Sequence, residues 1–215
     1  MGEPRTIERF KKRTIWLHWV HTLAFIALIV TGAILLVPGL GEAAAGGVTR
    51  IVHRVCIVIF VGIPVIYAIF NPRTTWHFIK EALTWGKGDI GWLLAAPSYY
   101  FGGPEDKMPP QEHINTGQKM WQFIVLATGL LFLASGFIML FLKDIVAPEV
   151  FQWSVVAHDV AFILAFLMLL VHIYTGAIHP RMTESFRSML DGKISTGYAK
   201  HHYGKWYDKI AAKNK

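Results

Sequence analysis

Apolar residues gather into four long runs, at 14–37, 48–70, 114–142 and 151–179, each nearly free of charge at its centre. At roughly 20 residues per crossing, each run is long enough to pass through a bilayer as a helix. Between the second and third runs, residues 74–85 place Trp76, Ile79 and Leu83 apart from His77, Lys80 and Glu81. That division predicts a helix lying at the membrane surface. Gly102-Gly103-Pro104 and Met108-Pro109-Pro110 then break regular structure before the third run. A further interfacial stretch is expected at 185–190, inside a polar tail covering 180–215. The pattern predicts an all-α, integral membrane four-helix bundle, a single domain over 1–215.

Composition agrees with this reading. Apolar residues make up 53% of the 215 and charged residues only 16%, against about a quarter in soluble domains. The net charge of +7 comes from 21 Lys+Arg against 14 Asp+Glu. Most of these basic residues lie between and beyond the apolar runs, with Arg50, Arg54 and Lys119 near run starts, so the charge points to membrane lipid as a partner and not to nucleic acid. Five Lys/Arg precede residue 14, none falls in 38–47, four fall in 71–113, one in 143–150 and eight from Pro180 onward. With four crossings, the basic-rich segments share one side, and the positive-inside rule places both termini in the cytoplasm. The first run is too long for a signal-peptide core and is expected to stay as a helix. A single cysteine, Cys56, excludes a disulfide framework, a Cys-ligated iron–sulfur cluster and a four-Cys zinc site. No C-x-x-C-H, G-x-G-x-x-G or Walker sequence occurs, so neither c-type haem attachment nor nucleotide chemistry is expected on this chain.

Histidine carries the candidate chemistry, because an imidazole inside a membrane helix is costly unless paired or ligated. His158 and His172, both on the fourth run, are fourteen residues apart, which is about 40° short of four turns and about 21 Å along the axis. Two rings on nearly one face, one towards each side of the membrane, suggest two stacked cofactors. On the expected topology, His53 near the start of helix two matches the depth of His158, and His18 near the start of helix one matches His172. Two bis-imidazole sites follow, set among aliphatic, aromatic and small residues such as Thr31, Gly32, Gly62, Gly129, Gly136 and Gly176. Two axial imidazoles in apolar surroundings suit two haem b groups engaged in electron transfer. His21, three residues from His18, competes with it as ligand. Arg54 either pairs a haem propionate, whose carboxylate fits a guanidinium, or anchors the helix at the interface. His77, His113, His201 and His202 are assigned to surface segments. His179 either serves proton uptake or caps helix four.

Three features, taken together, resemble a known family. They are the segment His113-Ile-Asn115-Thr-Gly117-Gln118-Lys119-Met120, the His158/His172 spacing, and the tail Lys200-His201-His202-Tyr-Gly-Lys-Trp206-Tyr207. This set is similar to the gamma subunit, a di-haem cytochrome b, of membrane-bound formate dehydrogenases. The wider group takes in nickel–iron hydrogenase cytochrome b subunits and bacterial cytochromes b561. The resemblance implies a place in the bacterial inner membrane, within a respiratory oxidoreductase complex. Its partners would be an iron–sulfur subunit and a molybdenum or tungsten catalytic subunit, where formate oxidation itself would occur. It implies His53 and His158 on the periplasmic haem iron and His18 and His172 on the cytoplasmic one. Asn115, Gly117, Gln118 and His172 would contact a quinone, menaquinone or ubiquinone, near the cytoplasmic face. For Asn115, helix capping is the competing role. The alternatives are a subunit of a nickel–iron hydrogenase or another molybdenum or tungsten enzyme, a stand-alone b561-type oxidoreductase, and a haem-free membrane anchor.

Overall fold

The computed structural model describes residues 5–213. In chain order they form strand β1 (Thr6–Glu8) and helices α1 (Lys12–Leu36), α2 (Gly41–Ala45), α3 (Val48–Phe70), α4 (Pro72–Leu83) and α5 (Lys87–Tyr100). Then come α6 (Thr116–Phe141), α7 (Pro148–Ile173), α8 (Thr183–Asp191), strand β2 (Lys193–Ser195), α9 (Thr196–His202) and α10 (Gly204–Lys213). The all-α class holds, with one short two-stranded addition. Four helices are long and apolar enough to cross a membrane: α1, α3, α6, and α7 with the π-turn Tyr174–Ile178 that extends it. Their ends fall within three residues of the expected ones. Between none and 22% of the most apolar stretch of each is buried, so Val58, Leu130 and Leu167 present their side chains outward, as lipid-facing residues must.

The described chain divides into two compact units. The first comprises 16–76 and 124–169 and holds most of the four long helices. Within it, α1 and α3 meet through His21 and Phe25, both stacked on Phe60. Gly32 of α1 lies against the Phe162 ring of α7. Phe162 and Phe166 stack along α7 itself.

The second unit comprises residues up to Ile15, 77–123 and 170 onward. The helix predicted at 74–85 is present as α4, which begins in the first unit and ends in this one, with Pro72 at its first position, where a missing N–H costs nothing; Trp76 and Leu83 are exposed on it. α5 was not anticipated, since Gly88, Gly91 and Pro97 read as breakers. It forms because Trp92, Ala96 and Tyr99, at helical spacing, are all buried, and because the Asp89 carboxylate accepts from the Gly86 N–H (2.8 Å) at its start. The expected stretch at 185–190 is part of α8.

β1 and β2 pair antiparallel, Ile7 opposite Ile194. They pack with Ala199, Tyr203, Tyr198, Trp206 and Tyr207 into a small aromatic core. The approach of the two termini depends on Gly192, which closes α8 in the left-handed region at φ +83°. Its carbonyl accepts from Arg9 N–H (2.7 Å) and Phe10 N–H (3.1 Å). A Cβ there would lie 2.5 Å from the Phe10 oxygen, so only glycine fits both demands.

Candidate functional site

In the first unit, two imidazoles are held in the same way. His53 on α3 has Nδ1 2.8 Å from Thr31 Oγ1 on α1. His158 on α7 has Nδ1 2.9 Å from Ser135 Oγ on α6. Each hydroxyl already donates its one proton backward along its own helix, Thr31 to the Ala27 carbonyl (2.7 Å) and Ser135 to the Leu131 carbonyl (2.6 Å). Each hydroxyl oxygen is therefore left to accept, and the ring Nδ1 must be the donor. This fixes the Nδ1–H tautomer and leaves an Nε2 lone pair on both rings, the form in which histidine ligates a metal.

A glycine follows each hydroxyl residue. A Cβ on Gly32 would touch His53 Cε1 at 3.8 Å, and one on Gly136 would touch His158 Cε1 at 3.7 Å. A hydroxyl residue followed by glycine thus flanks each ring, the hydroxyl setting the tautomer and the glycine lying alongside the ring edge. The sequence marks Thr31, Gly32 and Gly136 only as small residues; Ser135 and the orienting role of both hydroxyls emerge from the structure. The available signal was a hydroxyl residue followed by glycine inside otherwise aliphatic helices, a pattern that Thr128-Gly129 and Thr175-Gly176 share. A Cβ on Gly62 or Gly129 would meet nothing within 4 Å, so open space adjoins both positions.

His18 and His21 also belong to the first unit, and they differ. His21 stacks on Phe60, centroids 4.0 Å apart and 19° between planes. His18 meets Trp19 edge-on, and its Nδ1 is buried with no hydrogen-bond partner among the described residues. Tyr67 Oη, in the same unit, is buried and unpaired in the same way. Buried polar atoms rarely stay unsatisfied, so these two atoms suit a chain that folds around a bound polar group. Arg54, directly after His53, is exposed.

His172 falls in the second unit, its ring parallel to Trp121 (centroids 4.8 Å, 10°) and close to the bare Cα of Gly176. Asn115 and Gln118 form a reciprocal capping box at the start of α6. Gln118 N–H donates to Asn115 Oδ1 (2.9 Å), and Asn115 N–H donates to Gln118 Oε1 (3.0 Å). Only the amide oxygens take part, which leaves both NH2 groups outside the turn. Gly117 has a packing reason of its own, since a Cβ there would lie 2.8 Å from Trp92 Cη2. Gln122, one turn beyond Gln118, has a buried Oε1 with no partner among the described residues; it was not singled out from sequence.

A polar network braces this helix start. Lys119 Nζ pairs with Asp89 at 2.8 Å, and Thr116 Oγ1 donates to the same carboxylate. Burial alone would raise the Asp89 pKa, but the bonds from Lys119, Gly86 and Thr116 hold it below the usual range. Buried Arg9 donates to Ser185 Oγ (2.9 Å), the His113 carbonyl (3.0 Å) and Gln118 Oε1 (3.2 Å), with its guanidinium 3.9 Å above the Tyr203 ring. His113 is not the surface residue expected. Its Nε2–H donates to the Arg9 carbonyl (2.9 Å), and burial pushes its pKa down to about 4. His179 is committed to capping: Nδ1 accepts from Arg181 N–H and Nε2 donates to the Tyr100 carbonyl.

Residues 9–192 match the sequence profile of the family described as prokaryotic cytochrome b561. The chain belongs to this family. Membership implies b-type haem and a membrane-embedded electron carrier, in agreement with four membrane-length helices and rings that present bare nitrogens. The chain is 28% identical to the cytochrome b556(Fdn) subunit of the nitrate-inducible formate dehydrogenase of Escherichia coli K12, over 98% of its own length and 94% of the relative's. It is 24% identical to the formate dehydrogenase cytochrome b556 subunit of Haemophilus influenzae, over 88% and 77% respectively. The resemblance read from the His113–Met120 segment and the tail is thereby borne out.

Proposed function

We propose that this chain is the di-haem cytochrome b subunit of a formate dehydrogenase-like complex in the bacterial inner membrane. In this reading both termini are cytoplasmic. The chain links an iron–sulfur subunit and a molybdenum or tungsten catalytic subunit on the periplasmic side to a quinone, menaquinone or ubiquinone, near the cytoplasmic face. The observation that carries the proposal is the matched pair of hydroxyl-held imidazoles, because an Nδ1-donating ring whose bare Nε2 has no partner among the described residues is built to ligate. The names of the two relatives support the choice of donor complex.

His53 and His158 would hold one haem b, and His18 and His172 the other. The unpaired His18 Nδ1 and the stacking of His21 on Phe60 favour His18 over His21. Held by these imidazoles, haem b would supply a one-electron iron couple. Arg54 is placed one residue after a ligand, where its guanidinium suits a propionate. Asn115 and Gln118 would use the NH2 groups spared by the capping box to donate to quinone carbonyls, with Gly117 between them and His172 nearby; the buried Gln122 oxygen extends the same face. Protons would enter from the basic, cytoplasmic side. An electron moving inward against a negative interior costs about 2.3 kcal/mol per 100 mV, which the donor must supply.

The test is a pyridine haemochrome determination on purified protein together with identification of the copurifying subunits. Two haems b per chain and a molybdopterin or tungstopterin partner are expected. One haem per chain would overturn the two-site reading, and a nickel–iron partner would reassign the donor.

A further inference from the structure

Outside the sites above, the second unit gathers Glu105, His201 and His202, each offering a ligand atom within 4.8 Å of the other two. Glu105 stands in the single turn Glu105–Lys107 that follows α5, and the two histidines close α9. Together with Tyr99, Tyr100 and Asn115 they line one recess. We propose that Glu105, His201 and His202 form a divalent-metal site of the zinc class, clasping α9 to the turn after α5.

The chemistry of the donors supports this assignment. Two imidazoles and one carboxylate, with a fourth position left to water, make a common zinc set. Glu105 Oε2 is 3.6 Å from His201 Nδ1, close to the ~3.3 Å edge of a tetrahedron with bonds of ~2.0 Å. The other carboxylate oxygen is taken by Arg181 Nε at 2.9 Å. That guanidinium is itself fixed by the Tyr99 and Gly103 carbonyls, so it orients Glu105 while leaving Oε2 to the metal. His202 stacks on Tyr198 (centroids 3.9 Å), and its Nδ1 is 3.4 Å from the Tyr99 hydroxyl. The tautomer whose Nδ1–H donates to that hydroxyl leaves Nε2 without a proton. The positive charge of Arg181 weakens the site without closing it. None of the three ligands is among the haem or quinone residues, although Asn115 lines the same recess.

Equilibrium dialysis of the haem-loaded, detergent-purified full chain against zinc chloride, with zinc and iron counted by elemental analysis, tests it. One zinc per chain is expected to bind saturably. Glu105→Gln and His201→Asn, at partly or largely exposed positions, should each weaken binding at least tenfold, since even outer-shell partners of a metal are worth ~10–100-fold. His77→Asn, an exposed histidine elsewhere, should leave it unchanged. Zinc should also raise the melting temperature of the unsubstituted chain but not of Glu105→Gln. Absence of saturable binding, or equal affinity in both site variants with haem spectra intact, would overturn the assignment.

Discussion

Thr31→Val removes one oxygen from the His53 cradle and keeps the side chain's shape. The His53 Nδ1–H, now 2.8 Å from its acceptor, would face apolar surface. A buried donor left unsatisfied costs about 1–3 kcal/mol. Removing an outer-shell partner typically lowers metal affinity ~10–100-fold, and tenfold is about 1.4 kcal/mol, so the two scales agree. The helix itself loses little, because the Ala27 carbonyl keeps its backbone N–H bond once the Thr31 hydroxyl (2.7 Å) is gone. Thr31→Ser keeps the acceptor and should retain nearly full haem affinity. Ser135→Ala should repeat the Thr31→Val result at His158. The assay is haem retention on dilution, followed by pyridine haemochrome, with the optical spectrum identifying which haem is lost. Two rings serving one iron require that Thr31→Val and Ser135→Ala loosen the same haem, with a double variant less than additive. If Thr31→Ser were as damaging as Thr31→Val, or if the two deletions loosened different haems, the cradle argument would fail.

Other consequences follow from the second unit. Gln118→Ala opens the capping box and removes an Arg9 acceptor; about 1 kcal/mol of stability should be lost on the scale of helix caps. A thermal-shift assay would read this loss, and quinone turnover should fall with both haems retained. Gly192→Ala forces a side chain into φ +83° and against the Phe10 oxygen. It should cost more than the ~1 kcal/mol that a left-handed conformation alone exacts, seen as a lowered melting temperature and easier proteolysis near β1. Stability should also depend on pH. His113 and His202 both titrate at about 4 when folded but near 6.5 when unfolded, so the unfolded chain binds more protons between those values. Stability is therefore full above about pH 6.5 and falls as pH drops towards 4, by up to ~3 kcal/mol for each group. A melting temperature that stayed flat from pH 7 to 4.5 would contradict this.

The parts legible in the sequence are those written as period and length. Four apolar runs returned α1, α3, α6 and α7, and two faces of mixed character returned α4, because a bilayer imposes its own thickness on the chain that crosses it. α5 escaped because Gly88, Gly91 and Pro97 weigh against a helix locally, and only the tertiary burial of Trp92, Ala96 and Tyr99 outweighs them. β1 and β2, three residues each, carry too short an alternation to be read, and their pairing joins the two ends of the chain. The histidines were legible as candidates since a buried imidazole is costly wherever it occurs, but their roles were not. His113 and His53 look equally out of place in a string of letters. One is satisfied by a backbone carbonyl 104 positions away; the other is held by a hydroxyl on a neighbouring helix that leaves its second nitrogen bare. A ring whose second nitrogen is left uncommitted by such a bond can ligate, and a ring spent on a buried network is held in place by it. That difference lives in the partner, and so Thr31 and Ser135 decide more about this protein's chemistry than any further count of its histidines.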